Sequence, residues 1–294
     1  MVTFTKEDRG QIDSVARCVQ SIAELSGDQK LWFRGQAKSF WSLIPTIGRE
    51  QCYGGKRRTL RPDDEWMLLH RFRRRCYAAM GRAISPIEAM FLARHHGLPT
   101  RLLDRTANAL VALYFACSEA ADQEGRLWAM SLRDARGDID VLDLIHITSD
   151  VELIEGLGEQ GVRILFPFFN SPRVIAQDGT YTIHPNPWRP LDCYQNEPFE
   201  KGWLDIERLY AWAIPSGAKI EILQQRSKLG ITHRTAFPDL DGIARSCWRR
   251  KCYGRRRGCA QTLSGCDGPI RNIVVSHEWV LPIWCVFQPS PEPA

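Results

Sequence analysis

The sequence predicts an α+β fold in which N-terminal helices pack on a mostly antiparallel sheet core. The first observation is the pattern of residues 12–25 and 63–80, where apolar side chains recur at the spacing of one helix face. The second is a change beyond residue 125, where short β-type runs alternate with Asp, Gly and Ser turns. Helices that come first and strands that come later favour α+β over a doubly wound parallel sheet.

The first elements follow from this helical spacing and from capping residues. Residues 12–25 form a helix, and residues 31–33 form a short strand. Asp63 and Asp64 offer caps to a second helix, which is amphipathic and basic and extends to Met80.

A third helix has clear signals at both ends. Ser85 is a capping residue and Pro86 occupies the first helical position. The helix is expected to reach His96 and to stop at Gly97, since Pro99 prevents its continuation.

The remaining elements are mostly predicted strands. Thr106 or Asn108 caps an apolar helix over residues 109–121, and another helix covers 218–229. The Pro- and Trp-rich segment 185–203 is expected to be a loop or lid. The predicted strands cover residues 126–132, 141–144, 162–166, 173–176, 180–183 and 208–214.

Composition limits the classes of protein. The chain has 294 residues, 44% hydrophobic and 25% charged, which allows one large domain or two small ones. Its apolar stretches are shorter than the roughly 20 residues of a membrane span, and the N-terminus lacks an apolar signal core. We therefore expect a cytoplasmic protein without a membrane partner, with its ten cysteines reduced. The net charge of +5 is concentrated at residues 70–75 and 249–257, which would attract phosphate.

Arg34 is the first candidate for ligand binding. It precedes Gly35, so the backbone can approach a ligand closely while the guanidinium holds an oxyanion through two donors. The alternative is a structural ion pair, for example with Asp104. The ligand role and the ion pair are compatible, because a carboxylate that binds an arginine also fixes the orientation of its guanidinium.

His95 and His96 are candidates of a different kind. Their side chains diverge by about 100° on a helix, so they cannot both face one point. The alternative to a catalytic role is that one imidazole packs in the core and the other caps backbone groups. If one is functional, His96 is favoured as a hydrogen-bond donor or general base, and no metal is expected because a spaced third ligand is lacking.

Thr100, Arg101 and Asp104 lie in a segment expected to be a loop after Pro99. Backbone amides released from helical pairing could there bind phosphate or ribose. The alternative is a capping turn in which Thr100 caps a helix and Asp104 pairs with Arg101. Together with Arg34, these residues favour an anion pocket.

Gln177 ends a predicted strand and is a candidate for orienting a hydroxyl group. Its neutral amide cannot act as a carboxylate base. Asp178 could supply a negative charge instead, whereas Glu221 is expected on a helix surface.

Several segments resemble the FRG domain family, named for its Phe/Tyr-Arg-Gly motif. The resemblance covers about residues 30–245, leaving an N-terminal helix within 1–29 and a basic, Cys-containing extension at 246–294. Arg105 stands where the family usually has Trp, and Ala109 where it usually has Pro. The segments are FRGQ at 33–36, SLIPT at 42–46, HHGLPTRLLD at 95–104, LVALYFA at 110–116, AQDGTYTIHP at 176–185, IPSGAKIEIL at 214–223 and FPDLDGIA at 237–244.

The order of these segments is also remotely similar to Arg-type ADP-ribosyltransferases. That likeness implies NAD as the substrate, an arginine on its phosphates or ribose at Arg34, a supporting segment at 100–104, and an orienting amide at Gln177. The expected cofactor contacts are Arg34, Gly35, Gln36, His95, Thr100 and Arg101, and the expected catalytic set is Arg34, His96, Asp104 and Gln177.

The resemblance implies a toxin or antiviral effector, active in phage defence, that modifies a macromolecule. The basic helix and the basic extension favour nucleic acid, RNA above all, over protein as acceptor. An antitoxin or regulatory protein would be a natural partner. The alternatives are a nucleotide- or RNA-binding module without catalysis, and a hydrolase in which Asp104 orients His96 as the base.

Overall fold

The computed structural model describes residues 4–25, 30–53, 56–132, 144–159, 162–167, 172–195, 206–240, 242–244 and 246–247. Its centre is a seven-stranded sheet, to which a two-stranded hairpin is added. The strands are β1 (Thr5–Gln11), β2 (Leu31–Gln36), β3 (Glu50–Tyr53), β4 (Lys56–Thr59), β5 (Leu102–Thr106), β6 (Gly125–Leu132), β7 (Arg163–Leu165), β8 (Gly179–Ile183) and β9 (Ile206–Ile214).

The large sheet has the order β1-β9-β6-β2-β5-β8-β7, and β3 pairs with β4 in the hairpin. β1 runs parallel to β9, whereas the other neighbouring pairs are antiparallel. The α+β class and the mostly antiparallel sheet are therefore confirmed.

The helices are α1 (Val15–Ala23), α2 (Pro62–Met80), α3 (Pro86–His95), α4 (Ala109–Cys117), α5 (Asp150–Glu159), α6 (Pro172–Ala176), α7 (Lys219–Lys228) and α8 (His233–Ala236). Capping residues predicted the starts of α3 and α4 correctly, whereas Asp63 and Asp64 are not caps but lie in the first turn of α2, whose N-cap is Arg61. Ser85 accepts a hydrogen bond from the Glu88 amide at 3.3 Å, and Asn108 accepts one from the Leu110 amide at 3.0 Å.

The two faces of the sheet are covered differently. One face, the helical face, packs its outer strands β5 and β8 against α2, α3 and α5, and its centre against α1, α4 and α7. On the opposite face, Trp32, Leu103 and Trp128 pack beneath Leu43, which lies in an irregular segment, and Leu191, which begins the short 3-10 helix Leu191–Tyr194. Those two segments are joined by the hydrogen bond from the Leu191 amide to the Leu43 carbonyl, 3.0 Å long.

Several expectations about the elements were wrong. Residues 173–176 form helix α6 rather than a strand, because β-branched Val174 and Ile175 lie on a single turn that begins at Pro172, with Val174 buried and Ile175 exposed. Residues 102–106 are strand β5 rather than loop, since the segment after Pro99 pairs with β8. The sequence analysis missed β1, whose polar residues give no alternating pattern.

Some predictions fall partly or wholly outside the described residues. These are residues 141–143 of the strand predicted over 141–144, residues 196–203 of the loop or lid predicted over 185–203, and the C-terminal extension apart from residues 246 and 247. Within the described residues, no helix is both long and apolar enough to span a membrane.

Candidate functional site

The candidate site lies where strands β2 and β5 separate. β2 pairs with β6 along its whole length. With β5, by contrast, β2 is paired among the described residues at a single position, where Phe33 lies opposite Thr106. Arg34 comes directly after that pair. Its Nη1 donates to the backbone carbonyl of Asp104 at 2.9 Å, so a side chain replaces the missing ladder hydrogen bond.

Gly35 is required by packing rather than by a ligand. A Cβ built at this position would lie 1.8 Å from the Ala112 carbonyl oxygen and 2.6 Å from the Ala116 amide. Helix α4 therefore occupies the space in which a ligand was expected to approach the backbone. The glycine lets α4 rest directly on β2 beside Arg34.

Asp104 connects the strand gap to the end of α3. Arg94 Nε donates to Asp104 Oδ1 at 3.0 Å, its Nη2 donates to Oδ2, and its Nη1 donates to the Thr46 hydroxyl. Arg34 Nη1 lies 3.6 Å from the same Oδ2. Burial alone would raise the pKa of Asp104, but the charge and hydrogen bonds of Arg94 and the charge of Arg34 outweigh it and lower the pKa to about 2. The carboxylate is thus ionised at neutral pH, although its side chain remains 45% exposed.

The charge around Arg34 is predominantly positive. Burial lowers the pKa of Arg34 to about 9; Asp104 opposes this shift, whereas Arg49, Arg105 and Arg94 add to it. Three guanidiniums and one carboxylate therefore act on a side chain that is only 13% exposed. Such an excess of cations is suited to a bound anion.

His95 and Gln177 lie on the rim of the same region. Burial lowers the pKa of His95, and the charges of Arg173 and His96 lower it further. The charges of Asp239 and Asp104 oppose this shift. His95 therefore shares its surroundings with Asp104. Gln177 is held by its neighbours: its Nε2 donates to the Ala236 carbonyl at 3.0 Å, and its own carbonyl accepts from the hydroxyl of Thr106, the residue paired with Phe33.

Four other predicted site residues are placed less favourably. Gln36 is 2% exposed, accepts from Trp128 Nε1 at 2.6 Å and donates to the Ser42 carbonyl, so it fastens a loop. Thr100 is buried, and its carbonyl accepts from the Ile47 amide. His96 is exposed, and its ring packs edge-on at 4.9 Å against His95.

Arg101 is the fourth of these residues. It does not pair with Asp104 but with Glu65 of α2, from which its Nη2 lies 2.8 Å away, and both side chains are almost fully buried. The Arg101 backbone amide also donates to Glu65 at 3.1 Å. The alternative pairing expected from the sequence is therefore wrong, because Asp104 is taken by Arg94 and Arg34.

Residues missed by the sequence analysis complete the site. Arg94 is the principal partner of Asp104, and Arg105 and His184 lie buried beside Arg34. Arg94 lies within the segment that resembles the family, ten residues before Asp104, but nothing in that spacing indicates an ion pair. No cluster of His, Cys, Asp and Glu that could hold a metal ion occurs among the described residues.

Comparison with known proteins supports the family but adds no relative of known activity. The FRG domain family matches residues 29–125, a segment that includes Arg34, Arg94, Asp104 and Arg105. The match covers about a third of the chain and shows that this segment is similar to the FRG domain. Searches of the curated proteins and of the solved structures gave no significant match.

Proposed function

We propose that the protein binds NAD at the gap between β2 and β5 and transfers ADP-ribose to a macromolecule, with nucleic acid favoured over protein. The observation that carries this proposal is the position of Arg34, at a strand gap where three further guanidiniums and the ionised Asp104 act on it. The remote resemblance to Arg-type ADP-ribosyltransferases agrees with it. As an effector, such an activity would suit a toxin used in phage defence.

The arrangement of charge suits the two halves of the reaction. NAD carries an anionic pyrophosphate next to a ribose whose C1′ becomes cationic as the bond to nicotinamide breaks. Guanidiniums around Arg34 would hold the pyrophosphate, and the exposed, ionised Asp104 would stabilise the cationic ribose. Nicotinamide leaves with the bonding electrons, the acceptor forms the new bond to C1′, and the proton of the acceptor passes to solvent.

Helix α2 supplies a surface for a nucleic-acid acceptor. Arg71, Arg74 and Arg75 are exposed and lie three and four residues apart, so they share one face of the helix. Tyr77, 60% exposed, lies three residues beyond Arg74 and could stack on an unpaired base. α2 packs against α3, whose last turn carries Arg94.

Incubation with NAD labelled in its adenylate phosphate, together with separate RNA, DNA and protein acceptors, tests the proposal. We expect label on RNA, and we expect the labelling to fall at least about 10²-fold in both R34K and D104N. R34K removes the two-donor guanidinium that positions the substrate, and D104N removes the negative charge that stabilises the transition state. The matched control is R17K, which changes an exposed arginine of α1. No labelled polymer, or labelling that R34K leaves unchanged, would contradict the proposal.

The competing functions give different results in the same assay. Saturable NAD binding without transfer would identify a nucleotide-binding module. Free ADP-ribose, or cut RNA without label, would identify the hydrolase. That function would require a base other than an Asp104 and His96 pair, since Asp104 bonds Arg94 instead.

A further inference from the structure

The cations around Arg34 extend to the opposite face of the sheet, where Arg105 leaves hydrogen-bond donors unused; this inference therefore shares Arg34 with the proposed NAD site. Arg105 of β5 is 3% exposed, and none of its three guanidinium nitrogens has a hydrogen-bond partner among the described residues. A buried guanidinium without partners is among the most costly arrangements in a protein interior. A further group that accepts its hydrogen bonds would remove this cost.

Arg105 does not avoid the cost of its buried charge by losing a proton. Burial lowers its pKa only to about 10, so the group keeps its charge at neutral pH. The carboxylate that acts on it, Asp104, is already bound by Arg94 and Arg34. The missing partner is therefore a negative group from outside the described chain.

His184 and its neighbours point to the same location. His184 is fully buried at the end of β8, and its pKa is lowered to about 3 by burial and by the charges of Arg105, Arg34 and Arg101, in that order. Its Nδ1 has no partner among the described residues, whereas Nε2 lies 3.1 Å from the hydroxyl of Thr182. Because the Thr182 hydroxyl donates to the Leu103 carbonyl at 3.4 Å, Nε2 is the donor to Thr182 and Nδ1 of the neutral ring is an unused acceptor, which becomes a donor when an anion favours the protonated imidazole.

Two of the surrounding arginines also keep a buried nitrogen unpaired. Arg34 Nε has no partner in the described structure, although Nη1 is used by Asp104 on the other side of the gap. Arg101 Nη1 is likewise unpaired, although its other nitrogens are bound by Glu65. Arg105, Arg34 and Arg101 thus keep unused guanidinium donors, and the charges of all three act on the buried His184.

The geometry points to a buried phosphate-binding site formed by Arg105, Arg34 and His184, with Arg101 at its edge. A phosphate group offers several acceptor oxygens and a double negative charge, which would satisfy a guanidinium fork and further single donors at once. The cover over this face includes the segments that carry Leu43 and Leu191. The phosphate group is either inorganic phosphate or part of a nucleotide, and it is held as an internal component of the fold.

Phosphate-dependent stability tests the inference. The full chain is unfolded thermally in inorganic phosphate, in ADP-ribose and in chloride, all at the same ionic strength. We expect a saturable rise in Tm with phosphate or with ADP-ribose that is absent in chloride and lost in R105M. Stabilisation by inorganic phosphate identifies the free ion as the ligand, and stabilisation by ADP-ribose alone identifies a nucleotide phosphate.

R226M is the matched control for loss of a buried arginine. Arg226 is also 3% exposed and also leaves Nε and Nη1 without a hydrogen-bond partner among the described residues, but its guanidinium lies 4.2 Å from the ring centre of Tyr114 on α4. The phosphate response should survive this substitution. D104N should also keep the response, which separates this site from the proposed catalytic one.

A second measurement does not depend on the folding of a variant. Wild-type protein, purified without phosphate and then denatured, is assayed for released inorganic phosphate and nucleotide. Release in proportion to the amount of chain supports the site. Equal stability in phosphate, ADP-ribose and chloride, together with no phosphorus released, would overturn it.

Discussion

Arg101 and Arg105 lie four residues apart in the same segment of chain, and each is 3% exposed. Arg101 is bound by Glu65 through two guanidinium nitrogens and its own backbone amide. Arg105 has no hydrogen-bond partner for any guanidinium nitrogen among the described residues. The first arginine therefore belongs to a structural pair, whereas the second keeps all its donors unused and is the centre of the proposed phosphate site, and the difference comes from one acidic residue on helix α2.

The largest expected effect separates these two arginines directly. R101M leaves the Glu65 carboxylate buried without its partner, and we expect the free energy of unfolding to fall by about 3–5 kcal/mol. Denaturant unfolding followed by circular dichroism measures it. The double variant R101M/E65M should recover most of the loss, and an equally unstable double variant would show that packing rather than charge is responsible.

The next effect concerns pH and His184. The folded pKa of about 3 lies below the unfolded value of about 6.5, so the stabilising contribution is complete above pH 6.5 and is lost as pH falls towards 3. We expect the wild-type free energy of unfolding to fall by about 1 kcal/mol per pH unit more steeply than that of H184N below pH 6. Denaturant melts at a series of pH values measure both slopes.

Repeating the pH series in phosphate gives a second test of the role of His184. A bound anion favours the protonated imidazole, so phosphate should flatten the wild-type slope and leave that of H184N unchanged. Identical slopes for the two proteins would contradict the assignment of the pH effect to His184.

R105M has a smaller expected effect, of opposite sign to that of R101M. In phosphate-free buffer the substitution removes an uncompensated buried charge, so we expect the free energy of unfolding to stay constant or to rise by up to about 2 kcal/mol. Chemical denaturation in chloride buffer provides the measurement. A loss comparable to that of R101M would mean that Arg105 has a stabilising partner within the protein.

The smallest effect is that of an exposed arginine. Arg17 lies 3.7 Å from Glu24, and both side chains are well exposed. R17M should change the free energy of unfolding by less than about 0.5 kcal/mol in the same chemical melts, because solvent screens the pair. A larger change would show that the unfolding measurements respond to features other than buried charge.

Local signals predicted much of the fold but only part of the site. Ser85 and Asn108 were correctly identified as helix caps, because capping depends on residues a few positions apart. β1 and α6 were misjudged, because pairing with β9 and packing on β8 decide these short segments. The ion pair of Arg34 with Asp104, given as the alternative to a ligand role for Arg34, is present in the structure.

The sequence by itself determined the α+β class, the starts of helices α3 and α4 and the presence of many cations near Asp104, because these depend on composition and on short-range spacing. Only the tertiary structure decided which arginine has a carboxylate partner. Glu65 and Arg101 are 36 residues apart, and Arg34 and Asp104 are 70 apart, so no local pattern indicates either contact. An unpaired charge is costly in a buried interior. The arginines that have a carboxylate partner therefore support the fold, and those without one are available to bind an anion.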